Sequence, residues 1–453
     1  MAHAMQSKGS AAKTLIVGLG TTGLSCARFL AAQGVQVAVA DSRSEPPGLD
    51  ALNAEYPDIA VFLGPFDERL FDSAERLVVS PGVSVATPQI DAVRRRGIPV
   101  MGDIELFVRA AAAPVVAITG SNGKSTVTTL LGEMARANGI NVAVGGNLGI
   151  PALDLLDDAV ELYVLELSSF QLETTDSLQA AVATVLNVSP DHMDRYASIE
   201  DYAAAKARVM RGAGVGVFNA DDPIVAAMGG ADDAWYFTLG ESQNDKMFGV
   251  CTVDGQEYLC RGEQPLLAAG ELRIPGLHNR ANALAALAMG TALGFDLALM
   301  LETLRAFRGL PHRTEYVTEF KGVRWYNDSK GTNIGASIAA LQGLDRADAS
   351  RTVLIAGGDC KGADFSQLGP VLAACARGLV TIGRDGAHVA AVAPASVPTV
   401  AARDMDDAVA KAAAMALPGD RVLLSPACAS FDMFSGFAQR GDRFMQAVRR
   451  FVR

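Results

Sequence analysis

The stretch "PVVAITGSNGKSTVTTLL", Pro114 to Leu131, constrains the fold more than any other feature of this chain. "PVVAIT" reads as a strand buried on both faces. From Val127 the apolar residues Leu130, Leu131, Met134 and Ala135 recur at helical spacing, until Asn138–Gly139 stops the helix. A buried strand that feeds a helix through a glycine loop belongs to a parallel sheet covered by helices. Gly120 and Gly123 let successive backbone N–H groups face one anion, and the helix N-terminus adds its partial positive charge. Lys124 then reaches the outer phosphates, and the hydroxyl of Ser125 or Thr126 suits Mg²⁺. The usual loop has four residues between its glycines before the lysine. Here "GSNGKST" has two, and Ile118 stands where the first glycine should be.

Short β-branched runs alternate with amphipathic helical patterns over most of the 453 residues, a length beyond what one core serves. The pattern divides into three blocks, 1–102, 103–309 and 310–453. The first opens with "TLIVGLGTTGLSCARFLAAQGVQVAVAD", a strand, glycine turn, helix and second strand. The second holds the phosphate loop and ends in the Ala-rich helices after "GLHNRANA". The third carries the strands "VRWYN", "RTVLIAGG", "GLVTIG" and "RVLLSP".

A net charge of −11 argues against a nucleic-acid or membrane-surface role, since phosphate backbones and anionic lipids are drawn to clustered Lys and Arg. Six cysteines without C-x-x-C spacing suggest neither a zinc ribbon nor a dithiol redox site, and buried reduced thiols are expected. The N-terminus lacks the apolar segment of a signal peptide, and "ALAALAMGTALGFDLALML" reads as a buried helix pair rather than a membrane span. A soluble cytoplasmic monomer is expected.

A phosphate loop with Mg²⁺ needs carboxylates at neighbouring strand ends. "ELYVLELSS" places Glu166 at one such end. The next strand runs into a turn with Asp191, His192 and Asp194; a helix N-cap accounts for the aspartates and leaves His192 unexplained. Lys206 in "DYAAAKARVM" reads by itself as a solvated helix lysine. "GLGTTG", Gly18 to Gly23, with Asp41 ending the second strand, matches a dinucleotide fingerprint or a pocket for a nucleotide-bearing substrate. In the third block "YNDSKGTN", "GGDCKGADF" and "SPACASFDMF" each put small and polar residues at a strand end. Lys330 and Lys361 bring positive charge there, and Ser430 is expected to open a helix whose N-terminus favours a carboxylate.

Taken in order, "GLGTTGLS", "SPG", "TGSNGKST", "GGNLG", "LELSSFQLE", "NVSPDHMDRY", "AAK", "GLHNRANA", "LPHRTE", "NDSKGTN", "GGDCKGADF" and "SPACASFDMF" resemble the Mur ligase family nearly end to end, and most closely its D-glutamate-adding members. The shortened phosphate loop is that family's usual form. The resemblance implies an α/β protein of three domains: a Rossmann-like N-terminal domain for UDP, a central P-loop ATPase-like parallel-sheet domain and a C-terminal Rossmann-like domain for the amino acid. It implies ATP and Mg²⁺ as cofactors, with UDP-N-acetylmuramoyl-L-alanine and D-glutamate as substrates.

Carried over by position, the resemblance gives Gly120, Ser121, Asn122, Gly123, Lys124, Ser125 and Thr126 to ATP, and Ser125, Glu166, His192 and Lys206 to the metals. Lys206 matches a lysine that is carbamylated in the family. Lys124, His192 and Lys206 would be catalytic. Thr22, Asp41, Ser42, Arg43 and Gly82 would line the UDP pocket, and Asn147 and Ser169 would face the substrate. Asn279, Asn282, His312, Arg313, Asp328 and Lys330 would clamp the nucleotide. Thr332, Lys361, Ser430 and Phe437 would hold D-glutamate. Three other readings stay open: a Mur-type ligase for a different amino acid, a nicotinamide oxidoreductase built on "GLGTTG", and a nucleotide-dependent switch built on the phosphate loop alone.

Overall fold

The computed structural model describes residues 14–344, 350–360 and 362–452. Three sheets follow one another along the chain. The first has five parallel strands, in spatial order Ala60–Leu63, Val37–Asp41, Thr14–Val17, Arg76–Val79 and Val100–Met101. The strand order reverses between Thr14–Val17 and Arg76–Val79, so the crevice of this doubly wound sheet opens where "GLGTTG" meets Ser80. There Ser80 Oγ donates to the Gly18 carbonyl at 2.8 Å. A Cβ at Gly23 would lie 1.9 Å from that same oxygen, so only glycine lets the helix Thr21–Ala32 pack this close to the turn.

The second sheet has nine strands. Val115–Thr119 lies between Leu162–Glu166 and Val182–Val185, all parallel, with the phosphate loop at its carboxyl end. All five residues of Val115–Thr119 are buried, as expected for a strand covered on both faces. The helix Lys124–Ala137 begins after Gly123 and is capped by Asn138. Its buried Leu130, Leu131 and Met134 pack with helices Leu277–Ala292 and Leu297–Ala306. These two pack so closely that a Cβ at Gly290 would sit 2.3 Å from Met300 Sδ.

The far end of this sheet departs from the parallel expectation. Met247–Val253, Gln256–Arg261 and Gln264–Ala268 form an antiparallel meander. Cys251 faces Tyr258 across it, which sets Cys260 two residues along on the same face, and the two cysteines form a disulfide. That corrects the expectation of six reduced thiols. Cys26, Cys360, Cys375 and Cys428 are buried and outside any disulfide.

The third sheet runs Glu315–Phe320, Val323–Asn327, Arg421–Leu424, Thr352–Ala356, Ala376–Thr381 and Thr399–Ala401, parallel except for its first, edge strand. The strand last in sequence, Arg421–Leu424, lies between two earlier ones, and three turns gather at the carboxyl ends of these strands. Ala427 N–H donates to the Gly331 carbonyl at 2.9 Å, Gly357 N–H to the Pro426 carbonyl at 2.8 Å, and Asp359 and Ala429 exchange a pair of backbone bonds. Among the described residues no helix is long and apolar enough to cross a membrane.

Candidate active site

The phosphate loop is held from below by Asn187, at the start of the "NVSPDHMDRY" turn. Ser121 N–H donates to the Asn187 carbonyl at 2.9 Å, Asn122 N–H to Asn187 Oδ1 at 2.8 Å, and Asn187 Nδ2 returns a bond to the Asn122 carbonyl at 3.1 Å. Gly120 and Gly123 adopt φ of 150° and 86°, and a Cβ at Gly123 would lie 2.4 Å from Asn282 Oδ1. Glycine is required there by conformation and by space together.

Lys124 Nζ donates to the carbonyls of Gly120 and Ser121 at 2.8 and 2.9 Å. Burial lowers its pKa, and Arg313 lowers it further against the pull of Glu166. Lys206 is 1% exposed, so the solvated-lysine reading fails. Its Nζ donates to the Gly120 carbonyl at 2.9 Å and lies 4.4 Å from the Tyr202 ring centre. Burial first, then Lys124, hold it well below an ordinary lysine. The turn with Asp191 is not a helix cap: the next helix, Ile199–Ala207, is capped by Ser198. Asp191 instead accepts from His192 N–H at 2.9 Å and from Asn333 Nδ2 at 3.0 Å. His192 takes φ of 58° and sets its ring 4.8 Å from that of Phe170.

Glu166 ends its strand inside the site. Ser125 Oγ donates to its carboxylate at 2.5 Å and Asn147 Nδ2 at 2.6 Å. Ser169 is buried in the first turn of a short helix whose cap is Ser168. Arg313 arrives from beside the third sheet and donates to Ser125 Oγ at 2.6 Å. Asn333, also from the third block, bonds Asn122 Oδ1 at 3.3 Å as well as Asp191. Neither Asn187 nor Asn333 stood out in sequence, since each lies in a motif whose charged members drew the reading.

Between the second and third sheets lies a cavity of about 130 Å³ whose walls include Asn122, Gly123, Thr126, Asn279, Asn282, Arg313, Asp328 and Lys330. Its floor adds Asn187, Asn219 and His278, which the sequence analysis passed over. Burial raises Asp328 to about 6 despite bonds from Ser425 and Thr314, and burial lowers Lys330 to about 8. His312 is not in this wall. Its ring packs where a Cβ on Gly441 would reach, and its carbonyl accepts from Lys330 N–H at 3.0 Å.

Lys330 Nζ sits 4.0 Å from the Phe437 ring centre. Ser430 is buried but opens no helix: residues 431–433 form a turn, and the helix Phe437–Phe451 starts after Gly436. Ser435 and Gly436 carry low helix propensity, and the helix begins only beyond them. Thr332 lies in the turn bonded to Ala427, so Thr332 and Ser430 stand on neighbouring turns. Lys361 lies outside the described residues.

In the first crevice, Thr22 sits in the first turn of its helix and Gly82 just past strand Arg76–Val79, while Ser42 and Arg43 are exposed beside Asp41. Asp41 accepts from Leu19 N–H at 2.7 Å and from the Arg43 guanidinium at 2.7 and 2.9 Å. Burial works to raise its carboxyl, and these bonds outweigh burial and hold it at about 2.

Comparison with known proteins gives the class. The description "Mur ligase MurD-like, N-terminal domain" matches residues 12–102, "Mur ligase middle domain" 118–290, and "Mur ligase, glutamate ligase domain" 312–428. The chain belongs to the Mur ligase family. It is 54% identical over 441 residues to UDP-N-acetylmuramoylalanine–D-glutamate ligase of Nitrosococcus oceani, covering 97% of each chain. It is 53% identical over 437 residues to the enzyme of that name from Marinobacter nauticus, covering 96% of this chain and 98% of the relative. In fold it is similar to UDP-N-acetylmuramate-alanine ligase MurC from Thermotoga maritima, with a TM-score of 0.60, 18% identity and coverage of 97% and 99%.

Proposed function

We infer that the chain is an ATP-dependent amide ligase that joins D-glutamate to UDP-N-acetylmuramoyl-L-alanine in cytoplasmic peptidoglycan precursor synthesis. The observation that carries the reading is the junction at Ser125: the phosphate loop and Arg313 of the third block meet there, so one cavity is walled by both. Lys124, Arg313 and Lys330 crowd this junction, and burial, which disfavours their charged forms, leaves them in want of an anion. A triphosphate supplies it.

A carboxylate does not react with an amine in water, because its leaving group would be an oxide. Phosphorylation removes that obstacle. The L-alanine carboxylate oxygen bonds the γ-phosphorus, the bond to the β,γ-bridging oxygen breaks, and ADP leaves. The D-glutamate amine then attacks the acyl carbon, and the tetrahedral intermediate expels phosphate to leave the amide. Lys124 and Arg313 offset the charge that gathers on the phosphoryl oxygens. Asn279, Asn282, Asp328 and Lys330 orient the nucleotide, while Thr22, Asp41, Ser42, Arg43 and Gly82 hold the UDP end, and Thr332, Lys361, Ser430 and Phe437 the amino acid. His192 and His312 are the histidines to test as proton acceptor.

Ser125 Oγ and Glu166 offer hard oxygens already turned to each other, which fits Mg²⁺. Among the described residues no three His, Cys, Asp or Glu side chains converge, as suits an ion that takes its remaining ligands from phosphates and water. When bound, Mg²⁺ supplies charge neutralisation at the β- and γ-phosphates. Lys206 is suited to carbamylation: burial raises the fraction of neutral, nucleophilic amine, and the carbamate would join His192 as a second cation site. Closure of the third domain would exclude water from the acyl phosphate.

The test is phosphate release with ATP, Mg²⁺, UDP-N-acetylmuramoyl-L-alanine and single amino acids. Release is expected only with D-glutamate; equal release without it, or without the UDP-sugar, overturns the assignment. Lys206→Ala should be inactive and regain activity with added short-chain carboxylic acids, whereas an active variant without them argues against carbamylation.

A further inference from the structure

Arg195 closes the turn that carries His192, yet its side chain leaves that turn for the first domain. Nη1 donates to the Pro81 carbonyl at 2.9 Å, and Nη2 to the Val83 carbonyl at 3.4 Å and to Glu173 Oε2 at 2.7 Å. The guanidinium lies 4.1 Å from the centre of the Phe170 ring, which also neighbours the rings of His192 and Tyr196. Only 13% of the Arg195 side chain and 14% of Glu173 are exposed, so this is a fixed strut and not a surface ion pair.

The two carbonyls that Arg195 grips flank Gly82. No peptide bond in the described structure is cis, and in a trans peptide the C=O and the following N–H point in opposite directions. Holding the Pro81 carbonyl toward Arg195 therefore turns the Gly82 N–H away, toward the crevice of the first sheet. A Cβ at Gly82 would meet nothing within 4 Å, so that side of the loop is open. The same crevice receives the N-terminus of helix Thr21–Ala32, the usual seat of a diphosphate in a doubly wound sheet.

We propose that Arg195 is a positioning residue for the UDP-bearing substrate: it pins the Pro81 and Val83 carbonyls so that the Gly82 amide faces the substrate's diphosphate. The inference rests on the ligase reading and deepens it. Arg195 spans the central and N-terminal domains, so the turn bearing His192 and the loop that grips the diphosphate move as one piece. The planar fork reaches these three acceptors from two separate nitrogens. A lysine offers one nitrogen at the end of a flexible stem.

The experiment compares Arg195→Lys, Glu173→Gln and Gly82→Pro with wild type in the phosphate-release assay, with far-UV circular dichroism as the folding control and calorimetric titration of UDP as a direct probe. Arg195→Lys is expected to raise KM for the UDP-sugar roughly tenfold, the scale of one charge-assisted hydrogen bond. Its KM for ATP and for D-glutamate should stay within about twofold, as for a change confined to one subsite. Glu173→Gln keeps both carbonyl bonds and should shift KM for the UDP-sugar less than Arg195→Lys does. Gly82→Pro deletes the amide hydrogen while keeping the Arg195 side chain, and should weaken UDP binding even if Arg195→Lys does not fold. A wild-type Kd for UDP in Gly82→Pro, an unchanged KM in folded Arg195→Lys, or a parallel rise in all three KM values overturns the inference. Failure of the ligase reading shows instead in the wild type, as release that ignores the UDP-sugar.

Discussion

Two strand–glycine-loop–helix units of this chain share a backbone plan and differ in what surrounds them. At Gly18–Gly23 the loop meets Ser80, and the nearby carboxylate Asp41 is consumed by Leu19 N–H and Arg43. At Gly120–Gly123 the loop is gripped by Asn187 and crowded by Lys124, Lys206 and Arg313, with Glu166 opposite. Among the described residues the first unit has its Asp41 carboxylate neutralised by Arg43 and no buried cation surplus, so it suits holding a ligand whose bonds do not change. The second concentrates buried charge contributed by two further parts of the chain, so it suits stabilising charge that moves during reaction. The same local motif thus becomes a grip or a reaction centre according to what tertiary structure brings to it.

The comparison breaks most visibly at Lys124. Lys124→Ala is expected to lower kcat roughly 10³-fold, the upper range for removing a preorganised charge donor. Rapid-quench measurement of ADP formation checks it, and near-normal turnover would remove the distinction between the loops. Next comes Arg313→Ala, expected to cost roughly 10²-fold in kcat/KM for ATP on the same scale. If Arg313 served only the resting fold, the loss would appear in thermal stability and leave kcat/KM intact.

Asp41 sharpens the contrast from the other side. Its carboxyl lies at about 2 against an ordinary 3.8. The folded pKa is the lower one, so the stabilisation is present at neutral pH and is lost as pH falls from about 4 through 2. Because the Arg43 partner is half exposed and screened by solvent, it amounts to about 1 kcal/mol. Asp41→Asn should lose most of it, and the gap between variant and wild type in urea unfolding should close on acidification. The smallest effect is at Lys330, which burial lowers to about 8. Its charge fades as pH rises through that value, so KM for ATP should climb a few-fold between pH 7 and 9. Lys330→Arg, charged throughout, should flatten the climb.

Much of this was legible in sequence because local chemistry forced it. "PVVAITGSNGKST" admits few structures besides strand, anion loop and helix, and Asn138–Gly139 stopped the helix where the pattern ended. Glu166 was placed by its strand end alone. The helix expected at Ser430 failed because the residues after it turn before Gly436 releases the chain into Phe437–Phe451. The Cys251–Cys260 disulfide was missed because cysteine spacing carries no register, and only the hairpin pairing sets the two thiols side by side.

By itself the sequence determined the three α/β blocks, the two glycine loops and the ordered motifs that mark the family, since each depends on residues close in the chain. Tertiary structure decided that Lys206 is buried, that Arg313 and Asn333 reach the phosphate loop, that His312 stands behind the cavity wall, and that Arg195 ties the central domain to the loop at Gly82. Periodicity tells which face of a helix is apolar. What lies opposite that face depends on how separate sheets dock, and the burial that shifts Lys124, Lys206 and Lys330 is fixed only there.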